Sequence, residues 1–230
     1  MQVEPLAGLV DVLDGDNLPL ISDLNPYRLG ATPTQFGDKD SYGHRDPYLP
    51  RARGEVDTRL RGALQPGRLV LVVGPSKAGK TRTAFEAARD RWPQARLLAP
   101  TPEGLGRLVT HPRVAVSEGP LMVWLDDLHR FLSITDPLTP ARLAALFTRP
   151  GPTMVLATLR AEEQVRLTAD TGELSRDTRQ LLDDAADTTF ELESTNQDPD
   201  EQAAAQAAYP AADLSTAGLA EQLAGAPAPC

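Results

Sequence analysis

Three continuous apolar runs punctuate the chain, each closed by a polar residue or glycine. Arg68-Leu69-Val70-Leu71-Val72-Val73 ends at Gly74, Leu121-Met122-Val123-Trp124-Leu125 ends at Asp126-Asp127, and Thr153 to Leu159 ends at Arg160. Short runs rich in branched side chains predict fully buried strands. Arg96 to Pro100 predicts a second strand in chain order, and the alternating Thr188 to Glu193 predicts a fifth, at a sheet edge. Between them the period changes to that of helices. Val56, Leu60, Ala63 and Leu64 make one face over 55–64; Ala84, Phe85, Ala87 and Ala88 do so after Thr81; Leu143, Leu146 and Phe147 do so over 139–148. Thr101 is placed to cap a helix running to Val109 with Pro102 at its first position, and a helix is expected over 128–132. Residues 111–120 read as loop. The stretch 161–186 is helix-prone with a break near Thr171-Gly172, and shorter helices are expected over 201–209 and 214–223. Strands alternating with helices predict an α/β fold: three layers around a mainly parallel five-stranded sheet.

Residues 1–47 carry no sustained period and are interrupted by Gly30, Gly37 and Gly43. Two readings stand for this arm: it packs along the core through Tyr27, Phe36, Tyr42 and Tyr48, or it is a mostly disordered leader. The core is expected over 48–194, followed by a partial helical lid and tail over 195–230.

The first strand and its helix are joined by Gly74-Pro75-Ser76-Lys77-Ala78-Gly79-Lys80-Thr81, a full match to G-x-x-x-x-G-K-[ST] in strand–loop–helix context. In such a P-loop, Gly74 and Gly79 permit unusual backbone angles and keep side chains out of a phosphate cradle. The backbone of Gly74, Pro75, Ser76, Lys77, Ala78, Gly79, Lys80, Thr81 and Arg82 forms the cradle, and its N–H groups, which Pro75 lacks, face the β-phosphate with the positive end of the helix. Lys80 reaches phosphate oxygens, and the Thr81 hydroxyl suits Mg²⁺. Lys77 is a solvated loop lysine or a direct phosphate contact. Asp126 is expected to hold the metal with Thr81, and Asp127 to orient an attacking water. Thr158 and Arg160, ending the strand expected between the other two, are candidates to sense the γ-phosphate. Tyr48 and Arg51 precede the site and read as ordinary packing and surface charge, or as neighbours of the nucleotide base. His129 reads as a surface or packing residue.

Composition narrows the field. With 230 residues the chain can hold one substantial core with appendages. A formal net charge of −9 argues against nonspecific nucleic-acid binding. Its single cysteine, Cys230, excludes an internal disulfide framework or cysteine metal cluster. Neither a signal peptide nor a bilayer-spanning apolar stretch is legible, so a cytoplasmic protein is expected.

This constellation resembles the additional-strand P-loop ATPases. Thr158-Leu159-Arg160 and the paired acids Asp126-Asp127 are similar to signatures of the STAND class, signal-transduction ATPases related to the AAA+ family. Tyr48-Leu49-Pro50-Arg51 and Gly225-Ala226-Pro227 resemble that class's entry segment and lid turn. The resemblance covers roughly residues 48–227. It implies ATP/ADP and Mg²⁺ as ligands, slow hydrolysis, protein partners or self-association, and a truncated lid with the usual downstream domains missing. Three rivals follow from the same residues. They are a non-hydrolysing nucleotide-binding interaction module, a P-loop phosphotransferase and an AAA+-type motor. The absence of Lys and Arg over 194–230 argues against the phosphotransferase. The absence of an Asn-Lys-x-Asp motif favours ATP over GTP.

Overall fold

The structure, a computed structural model, describes residues 4–34, 46–51, 55–169, 173–193 and 198–210. Five strands form one sheet: β1 (Leu69–Gly74), β2 (Arg96–Leu98), β3 (Leu121–Leu125), β4 (Thr153–Arg160) and β5 (Thr189–Glu191). Their order is β2-β3-β4-β1-β5, and every pairing is parallel. β4 thus lies between β1 and β3, as expected for the strand ending in Thr158 and Arg160, and β5 is an edge, as its alternating pattern predicts.

The eight helices among the described residues are α1 (Val56–Ala63), α2 (Lys80–Arg91), α3 (Leu105–Thr110), α4 (Pro112–Ala115), α5 (Pro140–Phe147), α6 (Ala161–Ala169), α7 (Glu173–Asp184) and α8 (Pro199–Ala208). Alternation along the strands builds two cores. Leu69, Leu71 and Val73 face one side with Leu143 and Leu181, while Val70 and Val72 face the other with Leu60 and Phe85. The result is a sheet with helices on both faces.

Several boundaries move. α3 begins at Leu105, because the Thr101 hydroxyl accepts the Gly104 N–H in a turn at 3.0 Å rather than capping a helix at Pro102. The expected loop after His111 contains α4, capped by the His111 ring, whose Nδ1 accepts the Arg113 N–H. Residues 128–131 form a 3-10 turn. The expected helix over 214–223 and the Gly225-Ala226-Pro227 turn lie outside the described residues.

The described part of the N-terminal arm packs along the core, as the first sequence reading has it, but through aliphatic rather than aromatic side chains. Leu6, Leu9, Val10 and Leu18 join one core; Val12, Ile21, Leu24 and Leu29 join the other. The arm runs antiparallel beside β2, with bridges Val10–Pro100 and Leu20–Arg96. It covers an edge whose N–H and C=O groups would otherwise lie open. Of the aromatic residues, Tyr27 and Tyr48 turn toward the first turn of α2 instead; Phe36 and Tyr42 lie outside the described residues.

Candidate functional site

At the C-terminal end of the parallel sheet, β1 runs through the glycine loop into α2. Gly79 takes φ +84° as α2 begins, and no side chain caps that start. The first N–H groups of a helix have no partner within it, so they and the helix dipole present positive potential there. Gly74 serves a different purpose from the expected one. Its φ is not in the left-handed region; a Cβ there would sit 2.6 Å from the Leu192 carbonyl, so it admits the chain leaving β5. At Gly79 a Cβ would sit 2.6 Å from Arg51 Nη2.

Lys80 is 8% exposed, and its ammonium donates to the carbonyls of Gly74 at 2.9 Å and Pro75 at 2.6 Å. Burial, with Arg160 nearby, lowers its pKa, against the pull of Asp127, Asp126 and Glu162. The Thr81 hydroxyl donates to Asp126 Oδ1 at 3.1 Å. Thr158 donates to the same oxygen at 2.8 Å and accepts the Asp127 N–H at 2.9 Å. Burial raises the Asp126 pKa, and Asp127 adds to this; Thr158, Thr81 and Lys80 oppose it. Asp127 stands at φ +56° and pairs through Oδ2 with Arg160 at 3.2 Å. Lys77 also has positive φ and is exposed. Such backbone costs on the order of 1 kcal/mol or more and concentrates where function constrains the chain.

These groups meet in one cavity of about 350 Å³. It is lined by Ser76, Lys77, Gly79, Lys80, Thr81 and Arg82 from the loop and helix. Asp126, Asp127, Thr158 and Arg160 line it from the strand ends. Gly74, Pro75 and Ala78 are not among its lining residues. Two expected contacts are engaged elsewhere. Thr158 has spent its only proton on Asp126, so it cannot donate to a phosphate while it holds that carboxylate. Arg82 directs Nε to Glu86, Nη1 to the Tyr27 hydroxyl and Nη2 to the Asp46 carbonyl, leaving its main-chain N–H at the start of α2.

Sequence reasoning missed the rest of the wall. Gly30, Ala31, Thr32, Thr34 and Asp46 enter from the arm, and Glu201 and Tyr209 enter from α8 and its end. Arg51, read as surface charge or a neighbour of the base, lines the cavity. It donates to the Ala78 carbonyl at 2.6 Å and faces Glu201 at 3.8 Å. Tyr48 lines it too and donates to Asp57 at 2.6 Å. His129 is partly exposed and outside the lining.

The oxygen set suits one kind of metal. No group of three or more His, Cys, Asp or Glu side chains that could hold a metal ion occurs among the described residues. A closed protein cage is therefore not built. Mg²⁺ needs only one or two protein oxygens, completing its shell with water and phosphate. Thr81 fits, since its proton points at Asp126 and its lone pairs remain. Asp126 fits through the oxygen that the two hydroxyls do not use.

No helix among the described residues is long and apolar enough to cross a membrane. No protein-family model matches the chain, and no curated protein matches it.

Proposed function

We propose that the chain binds ATP with Mg²⁺ and hydrolyses it slowly, as a nucleotide-dependent switch of the STAND-like P-loop kind. One observation supports this above the others: Lys80, an uncapped helix start and the Thr81–Asp126 hydroxyl–carboxylate pair all face one cavity of about 350 Å³. That volume is in the range of small-ligand pockets. Helix N–H groups and Lys80 hold the phosphates. Thr81 and Asp126 would hold Mg²⁺, which would supply positive charge beside the phosphates. Asp127 offers its free carboxylate oxygen to a water, which attacks the γ-phosphorus as ADP leaves, and takes up the water's proton. Arg160 stands where it can exchange Asp127 for developing phosphate charge. Thr158 positions Asp126 and Asp127.

Slow turnover follows from the Asp127–Arg160 pair, which ties base and cation to each other. The same pair favours the second reading, a nucleotide-binding interaction module without hydrolysis. Phosphate release by the purified chain separates the two. Under the first reading, release is measurable but well below ~1 s⁻¹, and Asp127→Asn keeps nucleotide affinity while losing it. Bound nucleotide without release in the wild-type chain selects the second.

A further inference from the structure

Resting on the nucleotide reading of the cavity, we infer that arm residues 27–34 form a working wall over its metal end. Arg82 is the positioning residue that pins this wall, and the pin sets how fast nucleotide leaves. This wall meets the site at Asp126. Its Oδ1 is used by Thr81 and Thr158. Its Oδ2 faces Gly30, where a Cβ would stand 3.2 Å away. Gly30 has φ +90°, at the end of a 3-10 turn over Pro26–Leu29. The arm therefore approaches the metal-site carboxylate of Asp126 with bare backbone, on the oxygen left for a metal's shell.

What holds the arm there is polar and converges on one residue. Arg82 directly follows Thr81. Its guanidinium carbon lies 6.0 Å from the Tyr27 ring centre and 5.8 Å from that of Tyr48. It donates to the Tyr27 hydroxyl at 3.3 Å and to the Asp46 carbonyl at 2.8 Å. Tyr27 donates to Asp46 Oδ2 at 2.6 Å, and the Thr34 N–H reaches the same oxygen at 2.9 Å. Glu86, 5% exposed, orients the guanidinium through Nε at 2.8 Å. One side chain on the first turn of α2 thus ties both chain segments of this wall to the helix that carries Lys80 and Thr81. Loosening the tie opens the cavity beside Asp126 without touching Lys80.

The test follows release of fluorescently labelled ADP from the full chain, with Mg²⁺ and with chelator, in wild type, Tyr27→Phe and Arg82→Ala. Amide hydrogen exchange over 24–34 is read in parallel. Each lost bond is worth a few-fold in an equilibrium or rate. Tyr27→Phe should therefore speed Mg–ADP release about 5-fold and Arg82→Ala about 10–30-fold. Metal-free release should change little, and exchange over 24–34 should rise in both. Tyr27→Phe removes one oxygen and keeps the ring, so it tests the tie if Arg82→Ala folds poorly. Faster exchange with unchanged release overturns the inference, since the arm is then packing only. Faster release regardless of metal, with unchanged exchange, overturns it in favour of direct contact between Arg82 and nucleotide. A wild-type chain that binds no ADP overturns the nucleotide reading and this inference with it.

Discussion

Replacing Thr158 by Val tests the site's internal wiring without altering its shape. Thr158 is 2% exposed and stands at the β4 end between two loops. Its hydroxyl makes the 2.8 Å bond to Asp126 and takes the 2.9 Å bond from the Asp127 N–H. Valine keeps the branch but supplies neither. A hydrogen bond to a charged group contributes about 1.5–3 kcal/mol, and a buried N–H left without an acceptor costs about 1–3 kcal/mol. Against this, the extra buried methyl returns about 0.8 kcal/mol. The net loss is about 2–5 kcal/mol. At a urea slope of about 2–3 kcal/mol per molar, the unfolding midpoint falls by roughly 1–2 M. Equilibrium urea unfolding followed by fluorescence and far-UV circular dichroism reads this directly. A loss under about 0.5 kcal/mol would refute the reasoning, because the hydroxyl would not then be the link between the acids.

Two other predictions concern the scaffold. Arg149 is buried and donates to the carbonyls of Val114, Ser117, Gly119, Gly151 and Pro152, and to Thr153 Oγ1. Arg149→Met strands several of these acceptors and should cost about 3–5 kcal/mol in the same unfolding assay; a cost under 1 kcal/mol would contradict this. His111, 4% exposed, lies with Nε2 2.9 Å from the Glu4 carbonyl, while Nδ1 accepts the Arg113 N–H. The ring is therefore held neutral, and burial, with Arg113 and Arg107, lowers its pKa below 6.5. The unfolded chain binds the proton first, so stability is full above pH 6.5 and falls as pH drops from there toward the lowered folded pKa. His111→Gln should flatten that slope in pH-dependent unfolding; an unchanged slope would assign it elsewhere.

The strands that carry the site were legible because burial on both faces leaves an unbroken apolar run. β1, β3 and β4 all announced themselves, and with them Gly79, Lys80, Asp126, Asp127 and Arg160 at their ends. The side chains that seat the arm were not legible. Leu6, Leu9, Val12, Leu18 and Ile21 follow neither period, because their spacing is set by β2 and the surfaces beside it rather than by an element of their own. Arg82 looked like a nucleotide contact from its place in the motif, since its partners Tyr27 and Asp46 are 55 and 36 residues away. α4 was missed because histidine is not among the usual capping residues, yet an imidazole nitrogen accepts as an oxygen would. The hub at Arg149 left one trace, an arginine at the head of the turn Arg149-Pro150-Gly151-Pro152, where unpaired carbonyls gather.

The central claim is that Lys80 and the start of α2 hold nucleotide phosphate. Calorimetric titration of the full chain with ATP, with and without Mg²⁺, tests it most directly when Lys80→Ala is run beside wild type. The account predicts one site per chain, tighter with Mg²⁺ and weakened about 10–150-fold in the variant, the loss of one charge-assisted phosphate bond. No heat from the wild-type chain, or equal affinity in the variant, would contradict it.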